Sequence, residues 1–252
     1  MTETEIETDD RALRRALSQN LTKLEDAISA ACRAANRPRA EVELIAVSKN
    51  HPTEALIAAV ELGLNLFGEN RVQEFAAKSI ELANAGVRSK MRAHLIGHLQ
   101  SNKAAKAVEV FDAVDSVDSL KLAERLNEAA ARLGKRLPIL LEIKLSDEET
   151  KAGLSPESAE FAQLLERLPT LGNLDAEGMM TIAPLDVPQE ETRGCFRALR
   201  ELRDRISATH PRLNLPVLSM GMSGDFPLAI AEGATRIRVG TALFGTRPGY
   251  PL

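Results

Sequence analysis

LPVLSMGMSGDFPLAIAEGATRIRVGTALFG, residues 215–245, reads as an apolar run, a glycine-rich turn, a helical segment, a second apolar run and a second turn. LPVLSM (215–220) and RIRV (236–239) are short enough for strands, and FPLAIAEG lies between them as a crossover. A strand, a helix and another strand in succession form the repeating unit of a parallel sheet. The same rhythm recurs toward the N-terminus in ELIAVS (43–48), LNLF (64–67), AHLI (93–96), FDAVD (111–115), PILLEI (138–143) and LDAEGMM (174–180), for eight runs in all. Helical signals fill the gaps: Pro52 at a first turn with Gly63 at the close, Asp118 opening a helix that Gly134 stops, and Ser155-Pro156 opening another.

Eight such units in about 200 residues predict a single (β/α)8 barrel. A doubly wound open sheet is the alternative, and it is disfavoured because no GxGxxG follows the first strand. Ahead of the barrel, Leu13, Ala16, Leu17, Leu24, Ala27 and Ile28 recur at helical spacing and predict an extra amphipathic N-terminal helix ending near Asn36 and Pro38. Residues 1–10 are expected to form a disordered tail, and 11–252 one domain containing that helix and the barrel.

Composition narrows the function. The chain has 252 residues, 44% of them apolar and 27% charged, which is ordinary for a globular protein and excludes collagenous and disulfide-scaffold classes. A formal charge of −4 argues against nucleic acid as a partner, since phosphate neutralisation needs a basic surface. The N-terminus MTETEIETDD is acidic, unlike a signal peptide, and no apolar run approaches the roughly 18 residues that span a bilayer. Cys32 and Cys195 have no CxxC spacing, so a zinc ribbon or redox dithiol is not expected, and both fall in helical patterns that favour burial. A cytoplasmic location is expected.

Working residues in such barrels follow the carboxyl ends of the strands. Lys49 directly follows the first run, where desolvation and neighbouring cations can keep an amine partly neutral for imine formation; a solvated strand-end lysine is the alternative. Glu69 and Asn70 follow the second run and either order the mouth around Lys49 or form a plain turn. The last two loops, Met220-Gly221-Met222-Ser223-Gly224-Asp225 and Gly240-Thr241, occupy the usual phosphate cradle of the fold, although turn glycines are common without that role. An amine at strand one facing a phosphate at strands seven and eight would suit a flat phosphorylated aldehyde, which describes pyridoxal 5′-phosphate. Arg238 could then meet the ring nitrogen or be an ion-paired barrel arginine. His94 and His98 are four apart but bracket Gly97 at a strand end, so no metal is expected.

LIAVSK (44–49), FGEN.VQE (67–74), H.IG.LQSNK (94–103), K.G (151–153), GMM (178–180) and LSMGMSGDFPLAIAEGATRIRVGTALFG (218–245) resemble the pyridoxal phosphate homeostasis protein family, whose members are similar to the N-terminal barrel domain of alanine racemase. The resemblance implies a fold-type III pyridoxal phosphate barrel without a second β-domain. It implies that Lys49 forms the internal aldimine, that Ser223, Gly240 and Thr241 hold the phosphate, and that Arg238 lies near the pyridine nitrogen. Asn70 and Met220 complete the cofactor-binding set expected here. It further implies cofactor binding and homeostasis without established turnover, with apo forms of cofactor-dependent enzymes as conceivable partners. A racemase needs a second base, a tyrosine in alanine racemase, and the one tyrosine here is Tyr250. A cofactor-dependent racemase or lyase and a cofactor-free Schiff-base aldolase are the competing readings. A mostly monomeric chain is expected, with weak dimerisation through the N-terminal helix as the alternative.

Overall fold

A computed structural model describes residues 3–146 and 152–245, with side chains from residue 11 onward. Eight parallel strands close into a barrel in sequential order: β1 Glu43–Val47, β2 Leu66–Glu69, β3 Arg92–Leu95, β4 Ala113–Val117, β5 Leu137–Glu142, β6 Leu174–Met180, β7 Val217–Ser219 and β8 Arg236–Val239. The predicted (β/α)8 barrel is therefore present, and the open-sheet alternative is excluded by the direct pairing of β1 with β8.

Helix α1 runs from Glu3 to Ala34. Residues 3–10, part of the segment expected to form a tail, carry helical backbone, and residues 1–2 lie outside the described residues. The helix stops where Asn36 turns to φ 52°, close to the expected end.

The outer helices are α2 Thr53–Glu61, α3 Val72–Asn84, α4 Ala104–Val110, α5 Leu120–Arg132, α6 Ala159–Arg167, α7 Gln189–Thr209, α8 Phe226–Ala231 and α9 Thr241–Phe244. The last two are single short turns that cannot cover the sheet behind them. Helix α1 does so instead, burying Leu17, Leu24, Ile28 and Cys32 in the common core, and Asn20 ties it to α9 through a 3.0 Å bond from its side-chain amide to the Leu243 carbonyl. Cys195 is buried as well, as expected.

Two helix starts differ from the sequence reading. Ser119, not Asp118, caps α5 by accepting the Leu122 amide, and Ser158, not Ser155-Pro156, caps α6 by accepting the Phe161 amide. In each case the serine hydroxyl reaches the third amide of the helix, the bond that defines an N-cap. Gly63 and Gly134 close their helices at φ 93° and 63°, as read.

Replacing Ile28 with Ala removes a side chain with no exposure from the α1 interface. The expected cost is about 3 kcal/mol, seen in urea unfolding as a lower midpoint with an unchanged slope.

Candidate functional site

Closure brings the predicted residues together along one arc of the rim, from β7 through β8 and β1 to β2. Lys49 lies two residues beyond the end of β1 and is half-buried. Gly240 closes β8 directly beside it: a Cβ at Gly240 would stand 3.2 Å from the Val47 carbonyl. On the other flank, Val47 is in register with Gly68 of β2, which leads through Glu69 to Asn70. Asn70 in turn abuts the loop after β3, where a Cβ at Gly97 would fall 2.5 Å from the Asn70 carbonyl.

The loop after β7 opens with the fully buried Met220, whose amide donates to the Arg236 carbonyl. Gly221 follows at φ +94°, and a Cβ there would meet the Ala229 methyl at 2.6 Å. No L side chain adopts that conformation in that space without displacement. Ser223 then reaches across to the next loop, its hydroxyl accepting from the Ala242 amide at 3.5 Å. That bond joins the loop of Ser223 to the loop of Gly240 and Thr241, and the hydroxyls and backbone amides of the two loops are a donor set that fits a phosphate.

The barrel interior is charged at its centre. Arg236 and Arg238 of β8 point inward and are each 4% exposed. Asp115 of β4 is paired with His94 at 2.9 Å and lies 3.7 Å from Arg236. Burial raises the Asp115 carboxyl, but His94 and the two arginines outweigh it and hold the group below its usual range. Arg238 donates to the Ser219 hydroxyl and to the Thr181 carbonyl, both at 2.9 Å, so its plane is fixed from β7 and from the residue after β6. Burial pushes the Arg238 guanidinium down, while Asp115, Glu142 and Asp225 hold it up. It has no direct carboxylate partner among its hydrogen bonds, and a guanidinium only donates.

His94 and His98 face different acids, Asp115 and Asp118, each at 2.9 Å. Among the described residues no group of three metal-ligating side chains occurs. Tyr250 and Lys151 lie outside the described residues.

Three functional candidates are given no role by the sequence reading, although Glu74 ends the motif FGEN.VQE. The first two are Lys78 and Glu74 of α3: the Lys78 ammonium is 2.9 Å from Glu69 and 2.8 Å from Glu74, Glu74 accepts the Asn50 amide, and the Ser48 hydroxyl donates to Glu69 at 2.8 Å. Burial still leaves the Glu69 carboxyl raised, against the lowering pull of Lys78 and Ser48. Their signal was the i,i+4 spacing of Glu74 and Lys78. The third candidate is Glu142 at the end of β5, an acid inside the apolar run PILLEI. It is 6% exposed, and its Oε2 atom has no hydrogen-bond partner. It lines a cavity of about 280 Å³ with Asn70, Ile96, His98, Lys144 and Ser146. Burial, reinforced by Asp118, pushes the Glu142 carboxyl up to about 7 against Arg238 and His98.

The chain matches the family model for the alanine racemase N-terminal domain over residues 19–248. It is 38% identical to the pyridoxal phosphate homeostasis protein of Haemophilus influenzae over 232 residues, 92% of this chain and 96% of that one. The corresponding protein of Pseudomonas aeruginosa is 40% identical over 231 residues, with 92% and 96% covered. The chain belongs to the pyridoxal phosphate homeostasis protein family. Within that family's structural relatives, PipY of Synechococcus elongatus, solved with PLP bound, superposes with a TM-score of 0.79 at 44% identity, covering 91% of this chain and all of PipY. Alanine racemase of Clostridium difficile, at 19% identity and a TM-score of 0.70, covers 94% of this chain and 60% of the racemase and shares the barrel fold.

Glu142 gives this family member a measurable pH dependence. The folded carboxyl binds its proton more tightly than the unfolded one, so its contribution to stability is present below about 4.5 and falls as pH rises to about 7. Above that the buried carboxylate costs roughly 3 kcal/mol. In cofactor-free protein, Glu142→Gln should raise the melting temperature by several degrees at pH 8 and by little at pH 5. Equal shifts at both pH values would contradict the assignment.

Proposed function

We propose that this protein holds pyridoxal 5′-phosphate through the Lys49 amine and contributes to intracellular supply of that cofactor without efficient turnover. The observation that carries the reading is the adjacency of Lys49 to the two phosphate-type loops, set by the pairing of β8 with β1. The naming of the relatives as homeostasis proteins and the cofactor in PipY support it.

The bound group supplies an electrophilic aldehyde, and this chain's residues do the rest. Lys49 provides the amine for covalent attachment. Ser223, Gly240 and Thr241 bind the phosphate through hydroxyls and backbone N–H groups, Gly221 lets the main chain turn tightly, and Met220 anchors that turn in the core. Asn70 borders the opposite side. Arg238, held by Ser219 and Thr181, offers only donors, and a ring nitrogen held against it would stay unprotonated and a poor electron sink. That is the physical case for holding over catalysis.

The recipient fitting this role is the apo form of a cofactor-dependent enzyme in the cytoplasm, met by a largely monomeric carrier that needs neither nucleic acid nor membrane. Among the described residues no helix is long and apolar enough to cross a membrane. One observation favours a second reading, a cofactor-dependent racemase or lyase: Glu142 lines a cavity with an unpartnered Oε2 atom, and burial pushes its carboxyl up to about 7, as suits a general acid or base.

Borohydride reduction of protein loaded with pyridoxal phosphate, followed by peptide mass mapping, should place the adduct on Lys49, and Lys49→Ala should abolish it. Adduct on another lysine would refute the attachment. Rapid multiple turnover of any amino acid would favour the enzyme reading.

A further inference from the structure

Lys49 occupies a central position of a four-residue turn. The His51 amide donates to the Ser48 carbonyl at 3.1 Å, leaving Lys49 and Asn50 as the two residues between. Asn50 adopts φ 61°, a left-handed conformation that asparagine tolerates at some cost. Something must hold such a turn in one shape if its amine is to meet an aldehyde whose phosphate is fixed elsewhere.

Two side chains from α3 do so, one on each side of Lys49. The Lys78 ammonium donates to the Ser48 carbonyl at 3.1 Å, and Glu74 Oε1 accepts the Asn50 amide at 2.7 Å. The same Glu74 oxygen also accepts from Lys78 at 2.8 Å, so both grips on the turn are one connected unit. Glu69 completes it by accepting from Lys78 and from the Ser48 hydroxyl. Lys78 is buried, and its three partners use all three of its donors. A lysine so occupied does not serve as a second attachment amine, although it lies beneath the first.

We propose that Lys78 and Glu74 are positioning residues for the Lys49 amine, clamping the backbone on both sides of it. The inference rests on the reading of Lys49 as the attachment point. It assigns α3 a role in cofactor retention without contact to the cofactor.

The test uses the full-length protein, two variants of the partly exposed Glu74 and one double variant of the buried residues beneath it. Glu74→Ala removes the acceptor of the Asn50 amide, whereas Glu74→Gln keeps a carbonyl oxygen there. In cofactor-free protein, NMR-detected exchange of the Asn50 amide should be about tenfold faster in Glu74→Ala and near the parent rate in Glu74→Gln. Pyridoxal phosphate should dissociate about tenfold faster from Glu74→Ala, again with Glu74→Gln close to the parent. The double variant Lys78→Met, Glu69→Gln removes the ammonium without leaving a bare buried carboxylate and should show the same loss of retention. A merely structural role would lower the melting temperature without this Gln-restored pattern. Parent-like exchange and retention in Glu74→Ala, with Lys49 still labelled, would overturn the clamp. If the parent itself carries no label at Lys49, the attachment reading fails before any variant is compared, and this inference falls with it.

Discussion

The hydrogen bonding of β8 to β1 is the constraint on which everything else depends. Residues 43–46 run in register with 236–239, so the first strand of the sheet ends beside the last. Lys49 and the glycine-rich loops after β7 and β8, separated by nearly 200 positions in sequence, thereby share one rim; sequence adjacency could not have supplied that. Closure is possible because each strand is parallel to the next and every crossover has its helix, but the helices after β7 and β8 are too short to shield the sheet. The long α1 helix solves that problem and braces α9 directly through Asn20.

The second constraint lies inside the barrel. A (β/α)8 interior is usually filled by branched apolar side chains. Here Ile45, Val47, Leu66 and Ile96 form a small apolar cluster, and His94, Asp115, Arg236 and Arg238 are buried on the strands as well. Buried charges of this kind are tolerated when each meets an opposite charge or a hydrogen-bond partner. Asp115 and Arg238 meet that condition. The Arg238 bonds to Ser219 and Thr181 also fix a flat cationic group inside the barrel.

Much of this was legible in the residues. The bounds of β6 and β8 fall where the apolar runs predict, and the loops after β7 and β8 were readable from glycine placement alone. The displaced elements have physical explanations. β2 slides two residues forward, to Leu66–Glu69, because Gly68 fits where Ile45 and Ile96 leave no room for a Cβ, and because Glu69 is buried through Lys78 and Ser48. β7 starts at Val217 because Pro216 has no amide to donate. In β4 the run FDAVD misleads at both ends: Phe111 stacks on Phe75, and Asp112 accepts the Ala93 amide, so the strand begins after them and carries Asp115 inward. The clamp under Lys49 was invisible for a different reason. A Glu–Lys pair four residues apart on a helix normally faces solvent, and only the fold shows that α3 turns this one toward the turn after β1.

The proposed reading makes the site a holder rather than a reactor: one amine on a pinned turn, the glycine-rich loops after β7 and β8 beside it, and an arginine that can donate but not accept a proton. A crystal structure of the protein soaked with pyridoxal 5′-phosphate tests this most directly. The account predicts density continuous from the Lys49 side chain to the cofactor, with the phosphate on Ser223, Gly240 and Thr241. Cofactor bound away from Lys49, or a phosphate seated anywhere but those two loops, would contradict it.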